Sequence, residues 1–304
     1  MAVDLWNELI VEAAEEFSMD IKGEGAEELP RDSTNLVVTG VEKAFELSGS
    51  GTPPPFKYTL INKIPFARGL GSSSAAIVAG LIAGLVLAGH ELEVEGHEKL
   101  LNIAADIEGH PDNSAPCVYG GFQLGIFDNV EARWSTFRIN IPSGLQCVMF
   151  VPDLKIETKT ARGLVKDTIS RSDAVYNMAR TALLVRSFCM NDMGALRLAT
   201  EDAMHQIPRS TAYPALYPVI NAALAAGAHG AFLSGSGSTI MAITSGLKGD
   251  AFHQIKEERL DVKVGEAMLQ AAADCGLKGR IYASSPSDKG AYVVRKNAVL
   301  MDNI

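Results

Sequence analysis

The sequence predicts an α+β fold built as two subdomains. Three observations carry that expectation. The first half is led by strands and holds one long apolar helix, and the second half mixes helices with a strand–turn–strand. The third is length, since 304 residues suffice for two ordinary domains. The one stretch with boundary texture lies near Asn140 to Gly144, so the expected subdomains are 1–142 and 143–304.

Each element has a local reason. Asp4 to Glu12 is apolar and strand-like, and Phe17 to Ile21 can pair with it. After a Gly- and Pro-punctuated loop, DSTNLVVTGVEKAFELSG reads as a helix with Asp32, Ser33 or Thr34 as its cap. Leu36, Val37, Val41, Ala44 and Phe45 form its apolar face. SGSGTPPP, from Ser48 to Pro55, is a surface loop. Phe56 to Ile64 alternates and is β-branched, as a strand should be. A Gly-rich turn then feeds an apolar helix from Ser73 to Gly89, and a second amphipathic helix spans Gly96 to Glu108. GGFQLGIFD and LQCVMFVPD read as strands. Helices follow over Ser172 to Met190, Gly194 to His205 and Tyr217 to Ala226, then a strand–turn–strand over Gly230 to Thr244, then helix and strand.

Composition excludes several classes. With 47% apolar and 21% charged residues the chain resembles a globular protein, not a disordered one. Its 27 Lys and Arg against 36 Asp and Glu give a net charge of −9. Nucleic acid and anionic membranes both need a positive field, so neither is an expected partner. The apolar run Ala75 to Gly89 is 15 residues long, short of the roughly 20 that span a bilayer. The N-terminus MAVDLWNELIVEAAEEF carries early acids and no basic n-region, unlike a secretory signal. Cys117, Cys147, Cys189 and Cys275 are far apart and form no zinc pattern, which fits free thiols and a cytoplasmic location.

Three loops carry chemistry. In PFARGLGSSSAA, Pro65 to Ala76, Gly69 and Gly71 let the backbone turn sharply beside a ligand, and Ser72, Ser73 and Ser74 add hydroxyls at the first turn of a helix. Unpaired amides and the positive end of the helix dipole make such a turn an anion site. It is neither a Walker A loop nor a dinucleotide fingerprint, because it lacks Gly-Lys-Ser/Thr and a third glycine. A Gly-rich connection with a serine cap is the plainer alternative. A second glycine turn, Ser234 to Thr239, follows a strand in the same way. The third segment, EGHPDNSAP from Glu108 to Pro116, packs two carboxylates, an imidazole and an amide together, and Glu108 suits a hard cation such as Mg²⁺.

PFARGLGSSSA, EGHPDNSAPCVYGGFQL and LSGSGST, in this order and spacing, resemble the GHMP small-molecule kinases. With SRSDAVYNMARTALLV and the HQ-x-x-R segment, the pattern is most similar to the homoserine kinase family, over nearly the whole chain. The resemblance implies an N-terminal half like ribosomal protein S5 domain 2, a ferredoxin-like C-terminal half and a cleft between them. It implies ATP-dependent phosphorylation of the L-homoserine hydroxyl with Mg²⁺, and dimers are common in the family. Matched residue by residue, Asn35 corresponds to the asparagine near adenine. Pro65, Gly69, Leu70, Gly71, Ser72, Ser73 and Ser74 wrap the triphosphate, and Gly235, Ser236, Gly237 and Thr239 close over it. Ser73, or its neighbour Ser72, and Glu108 match the Mg²⁺ ligands. Asn113 matches the residue holding the acceptor hydroxyl, and Thr158, Arg180 and Arg209 match substrate-side positions.

Phosphoryl transfer depends mainly on positioning and cation clamps. Asn113 can orient a hydroxyl but cannot deprotonate it, whereas Asp112 could act as a base. The resemblance ranks positioning first, with the phosphate taking the proton. Arg180 or Arg209 fits the substrate carboxylate as a bidentate donor.

The chain departs from the family in three places. Asn62 stands where the family has lysine, with Lys63 displaced by one, which removes the basis for a nucleotide role of Lys63. Ser238 replaces the usual proline of the last loop and is expected to leave it freer. The chain also opens on a segment matching the one after the family's first strand and its PATSAN and GFD contacts, so that strand and turn are expected to be missing. A non-catalytic nucleotide-binding protein, or a kinase for a mevalonate- or shikimate-type acceptor, are the alternatives this leaves.

Overall fold

The computed structural model describes residues 1–90, 96–155, 161, 163–245 and 259–295. The chain divides into two compact units. The first takes Met1–Phe66, Gly71–Arg138 and the segment from Ser287; the second takes Ala67–Leu70 and Ile139–Pro286.

In the first unit, alternating residues give β1 (Glu8–Ala13), β2 (Ser18–Gly23) and β3 (Phe56–Asn62), with β3 in the middle of the sheet. β1 runs antiparallel to β3 with Val11 opposite Tyr58, and β2 runs parallel to it with Ile21 opposite Leu60. β2 therefore pairs with β3 and not with β1, contrary to the expectation for Phe17 to Ile21. Alternation tells which face of a strand is buried, but not which neighbour it takes. Ile21, Phe56, Tyr58 and Leu60 bury that face against Val37, Val38, Val41 and Phe45 of α1 (Leu36–Leu47). The cap of α1 is Asn35, whose Oδ1 accepts from the Val37 amide at 3.0 Å. Asp32 instead closes its own turn with Thr34, so the expected cap was placed too early.

The apolar run forms α2 (Ser72–Leu87), buried on several sides as an all-apolar helix must be. Glycines on both helices serve the close packing of α2 with α1. A Cβ on Gly80 would lie 2.2 Å from the Val37 carbonyl oxygen, and one on Gly40 would lie 2.7 Å from that of Ile77. No helix among the described residues is long and apolar enough to cross a membrane. Ile77, Val78, Leu81 and Ile82 share a core with Leu100 and Ala104 of α3 (Gly96–Glu108) and Val118 of α4 (Ser114–Tyr119). The short α4 was not expected, nor was β5 (Arg133–Ile139), which pairs with β4 (Phe122–Asp128). The segment after Pro286 rejoins this unit. Ser287 O accepts from the Gly121 amide at 2.7 Å, the Ser287 amide donates to Ala2 O at 3.0 Å, and the Ala291 amide donates to Cys117 O at 2.7 Å.

The second unit is built on a four-stranded antiparallel sheet of β6 (Leu145–Pro152), β7 (Gly230–Leu233), β8 (Ile240–Ser245) and β9 (Gly279–Ser284), in the order β7-β8-β6-β9. β6 is central and almost continuously apolar because both its faces are covered. Its Val148 and Phe150 share a core with Leu216 and Val219 of α8 (Leu216–Ala225) and Val264 and Met268 of α9 (Leu260–Asp274). Between β6 and α8 lie α5 (Arg171–Cys189), α6 (Leu196–Ala199) and α7 (Gln206–Ser210). The helix expected over Gly194 to His205 ends at Ala199. Asp202 takes over there, accepting from the amides of Met204, His205 and Gln206 as the next helix begins.

Candidate functional site

In the first unit the chemistry gathers at the start of α2. Gly71 caps that helix at φ +72°, with no side chain bonded to its amides and no acid in its first turn. The amides of Ser72, Ser73 and Ser74 precede the first intrahelical donor, Ala75, and the helix dipole adds positive potential there. A Cβ on Gly71 would lie 3.4 Å from Cβ and Cγ of Asn113, so the loop rests against that side chain. Asn113 precedes α4 without capping it, and its amide has no hydrogen-bond partner among the described residues.

Ser72 and Ser73 are half-buried, whereas Ser74 is fully buried and donates to Glu108 Oε2 at 2.9 Å. The Glu108 side chain is 8% exposed and is the last residue of α3, where the dipole disfavours an anion. No lysine or arginine among the described residues pairs with it; His110 Nε2 comes within 3.8 Å. Asp112 is exposed and turned against His110 Nδ1. A buried carboxylate whose basic neighbour among the described residues is a histidine 3.8 Å away is costly unless a cation meets it. The described residues hold no cluster of three or more His, Cys, Asp or Glu that would cage a metal unaided. That donor set fits Mg²⁺, which is usually held by one or two carboxylates together with phosphate oxygens.

Asn35 and Pro65 serve the same unit differently. Both ends of the Asn35 amide are committed, Oδ1 to the cap of α1 and Nδ2 to Pro30 O at 2.8 Å. Pro65 is buried at the entry to the loop. That entry is fixed by a residue the sequence reading missed. Asn7 Oδ1 accepts from the amides of Lys63 at 2.8 Å and Ile64 at 2.9 Å. An asparagine 56 positions upstream leaves no periodic or motif signal.

In the second unit the two glycine loops interlock. Thr239 donates its amide to Arg68 O at 3.0 Å, and Ser234 Oγ donates to Gly69 O at 2.8 Å. Gly69 has φ +75°, and a Cβ there would lie 2.2 Å from Ser234 O, so only glycine fits. Leu70 completes this piece of the loop. Gly235, Ser236 and Gly237 form the facing turn, and Thr239 is fully buried with its Oγ1 unpartnered. Ser238 does not free the loop as expected. It is fully buried, and its Oγ donates to Leu154 O.

Both arginines of interest are engaged. Arg209 donates from Nη1 to Gly235 O at 2.9 Å and from Nε to Ala161 O at 3.3 Å. Arg180 lies over the Tyr176 ring, 3.2 Å from its centroid, and reaches Glu201 Oε2 through Nε at 3.1 Å and Nη2 at 2.7 Å. The Tyr176 hydroxyl donates to the same oxygen at 2.6 Å. These bonds, Tyr176 first and Arg180 second, hold the Glu201 carboxyl below its ordinary value. Thr158 lies outside the described residues.

The architecture and these loops define a GHMP kinase. The family model "GHMP kinases N terminal domain" matches residues 35–121, and "GHMP kinases C terminal" matches 182–274. Homoserine kinase of Carboxydothermus hydrogenoformans is 35% identical over 96% of this chain and 89% of that protein. That of Desulfitobacterium hafniense is 36% identical over 97% and 93%. The crystal structure of homoserine kinase from Cytophaga hutchinsonii superimposes with a TM-score of 0.78 at 27% identity, covering 95% of this chain and 89% of that one. The chain belongs to the homoserine kinase family.

Proposed function

We propose that the chain transfers the terminal phosphoryl group of ATP to the side-chain hydroxyl of L-homoserine, giving O-phospho-L-homoserine on the route to threonine, in the cytoplasm. One observation carries the site reading: a helix N-terminus capped by Gly71, with no side chain on its amides, meets the unspent amide of Asn113 and the buried carboxylate of Glu108.

The roles follow from the chemistry of phosphoryl transfer. The amides of Ser72 to Ser74 receive phosphate oxygens at a pole already positive. Glu108, with the hydroxyl of Ser73 or Ser72, would hold Mg²⁺; when bound, that ion offsets charge on the phosphates. Asn113 orients the acceptor hydroxyl toward the transferring group, which is the step where geometry matters most. Asp112 is exposed beside His110; in this reading the hydroxyl proton passes to a transferring phosphoryl oxygen and no dedicated base is needed. Arg180 and Arg209 hold the substrate carboxylate. A guanidinium has five N–H donors; the bonds to Glu201 hold the Arg180 fork through Nε and Nη2, and the bond to Gly235 O orients that of Arg209.

The test is ³¹P NMR of the chain with ATP, Mg²⁺ and L-homoserine, run beside mevalonate, shikimate and L-serine. O-phosphohomoserine is the expected product. Turnover of another acceptor in its place, or nucleotide binding without turnover, would overturn the reading.

A further inference from the structure

Three serines follow Gly71, and the third behaves unlike the others. A serine in the first turns of a helix commonly returns its hydroxyl to the helix backbone. Ser74 does not. It is wholly buried, and its hydroxyl crosses 34 positions of sequence to Glu108 Oε2. Glu108 Oε1 has no partner among the described residues, so the serine fixes one oxygen and leaves the other to meet a ligand. The side chain of Glu108 is also long enough to rotate if nothing holds it, and it sits where the dipole of α3 pushes an anion away.

We infer that Ser74 is a positioning residue for the reaction, holding the Glu108 carboxylate in the orientation that binds Mg²⁺ with nucleotide. In this role the Ser74 hydroxyl touches neither metal nor phosphate, which separates it from those of Ser72 and Ser73, and its backbone amide is left in place by the substitutions below. The inference rests on the reading of Glu108 as the metal carboxylate. Partners of a ligating carboxylate set its orientation, and their loss typically weakens metal binding by about 10- to 100-fold.

The experiment measures Mn²⁺ binding by electron paramagnetic resonance in the presence of a non-hydrolysable ATP analogue. Wild type, Ser74→Ala, Ser74→Cys and Glu108→Gln are compared, with folding checked by circular dichroism and thermal melting. Ser74→Ala should weaken Mn²⁺ by about tenfold, while nucleotide binding without metal stays within twofold of wild type. Ser74→Cys keeps a weak donor of similar size and should fall between, giving a second reading if the alanine variant folds poorly. In steady state the Mg²⁺ activation constant should rise while the homoserine KM does not. If Glu108→Gln loses Mn²⁺ and both Ser74 variants keep it, the inference is wrong and the Glu108 reading stands. If Glu108→Gln binds Mn²⁺ as wild type does, the reading of Glu108 fails and the inference with it.

Discussion

Gln206 Oε1 accepts the backbone amide of Leu233 at 2.9 Å, one residue ahead of the second glycine loop. The same side chain, nearly buried, donates from Nε2 to Thr200 O at 3.1 Å. Three residues on, Arg209 reaches Gly235 O. The five-residue α7 thus grips the end of β7 and the turn that follows it. Replacing Gln206 by alanine leaves a buried amide and a buried carbonyl without these partners, each costing about 1–3 kcal/mol. Differential scanning calorimetry should show a Tm several degrees lower for Gln206→Ala. Gln206→Glu, which sets a carboxylate oxygen against the Thr200 carbonyl in a nearly buried site, should not recover that fall at neutral pH.

Arg180 separates two roles that its geometry combines. As a carboxylate clamp, its loss should raise the homoserine KM at least tenfold, about 1.4 kcal/mol of binding, with the ATP KM unchanged. As a mere anchor for Glu201, its loss would lower Tm and leave both KM values alone. Steady-state kinetics of Arg180→Ala with each substrate varied in turn decides which.

The Asp202 carboxyl gives a pH dependence with a definite sign. Burial pushes its pKa up, but bonds from His205, from the Gln206 amide and from Asn177 outweigh that and hold it well below the usual carboxylate range. A depressed folded-state pKa contributes stability above the unfolded value, near 3.9, and loses it as pH falls toward the folded one. Wild type should therefore lose stability on acidification from about pH 5 downward. Asp202→Asn should be less stable at neutral pH and show a flatter acid limb. Urea melts across that range supply the comparison.

Gly80 tests the contact between α1 and α2. A Cβ placed there would lie 2.2 Å from the Val37 carbonyl oxygen, so the helices must move apart to admit it. Alanine is the better helix former by about 1 kcal/mol, yet overpacking costs about 1–3 kcal/mol. Gly80→Ala is expected to melt lower than wild type. An unchanged or higher Tm would mean that the close approach is not needed.

What the sequence made legible was local. Glycine where φ is positive, a serine run at a helix start and the apolar character of α2 can all be read along the chain, and they locate the GLGSSS loop and its helix. What stayed hidden was contact between distant residues. Nothing in SSSAA distinguishes the serine that reaches Glu108 from those that do not, because the choice depends on how α3 lies against α2. Arg180 read in sequence as a donor to the substrate carboxylate, and nothing along the chain showed that Glu201, 21 residues away, also pairs with it. Serine in place of proline at position 238 read as freedom, since the carbonyl of Leu154 that binds it is 84 residues upstream. Alternation found β2 yet could not say that its partner would run parallel to it.

The return of the chain to its first unit bears on the order of synthesis. Ala2, Cys117 and Gly121 are joined by Ser287 and Ala291, residues that leave the ribosome only after the whole second unit has been made. Domains commonly fold in the order in which they emerge. Here Ala2 waits for Ser287. The sheet of the second unit can assemble while the first still lacks its closing segment, and a ribosome stalled before Ser287 would carry a nascent chain whose amino-terminal unit is unfinished.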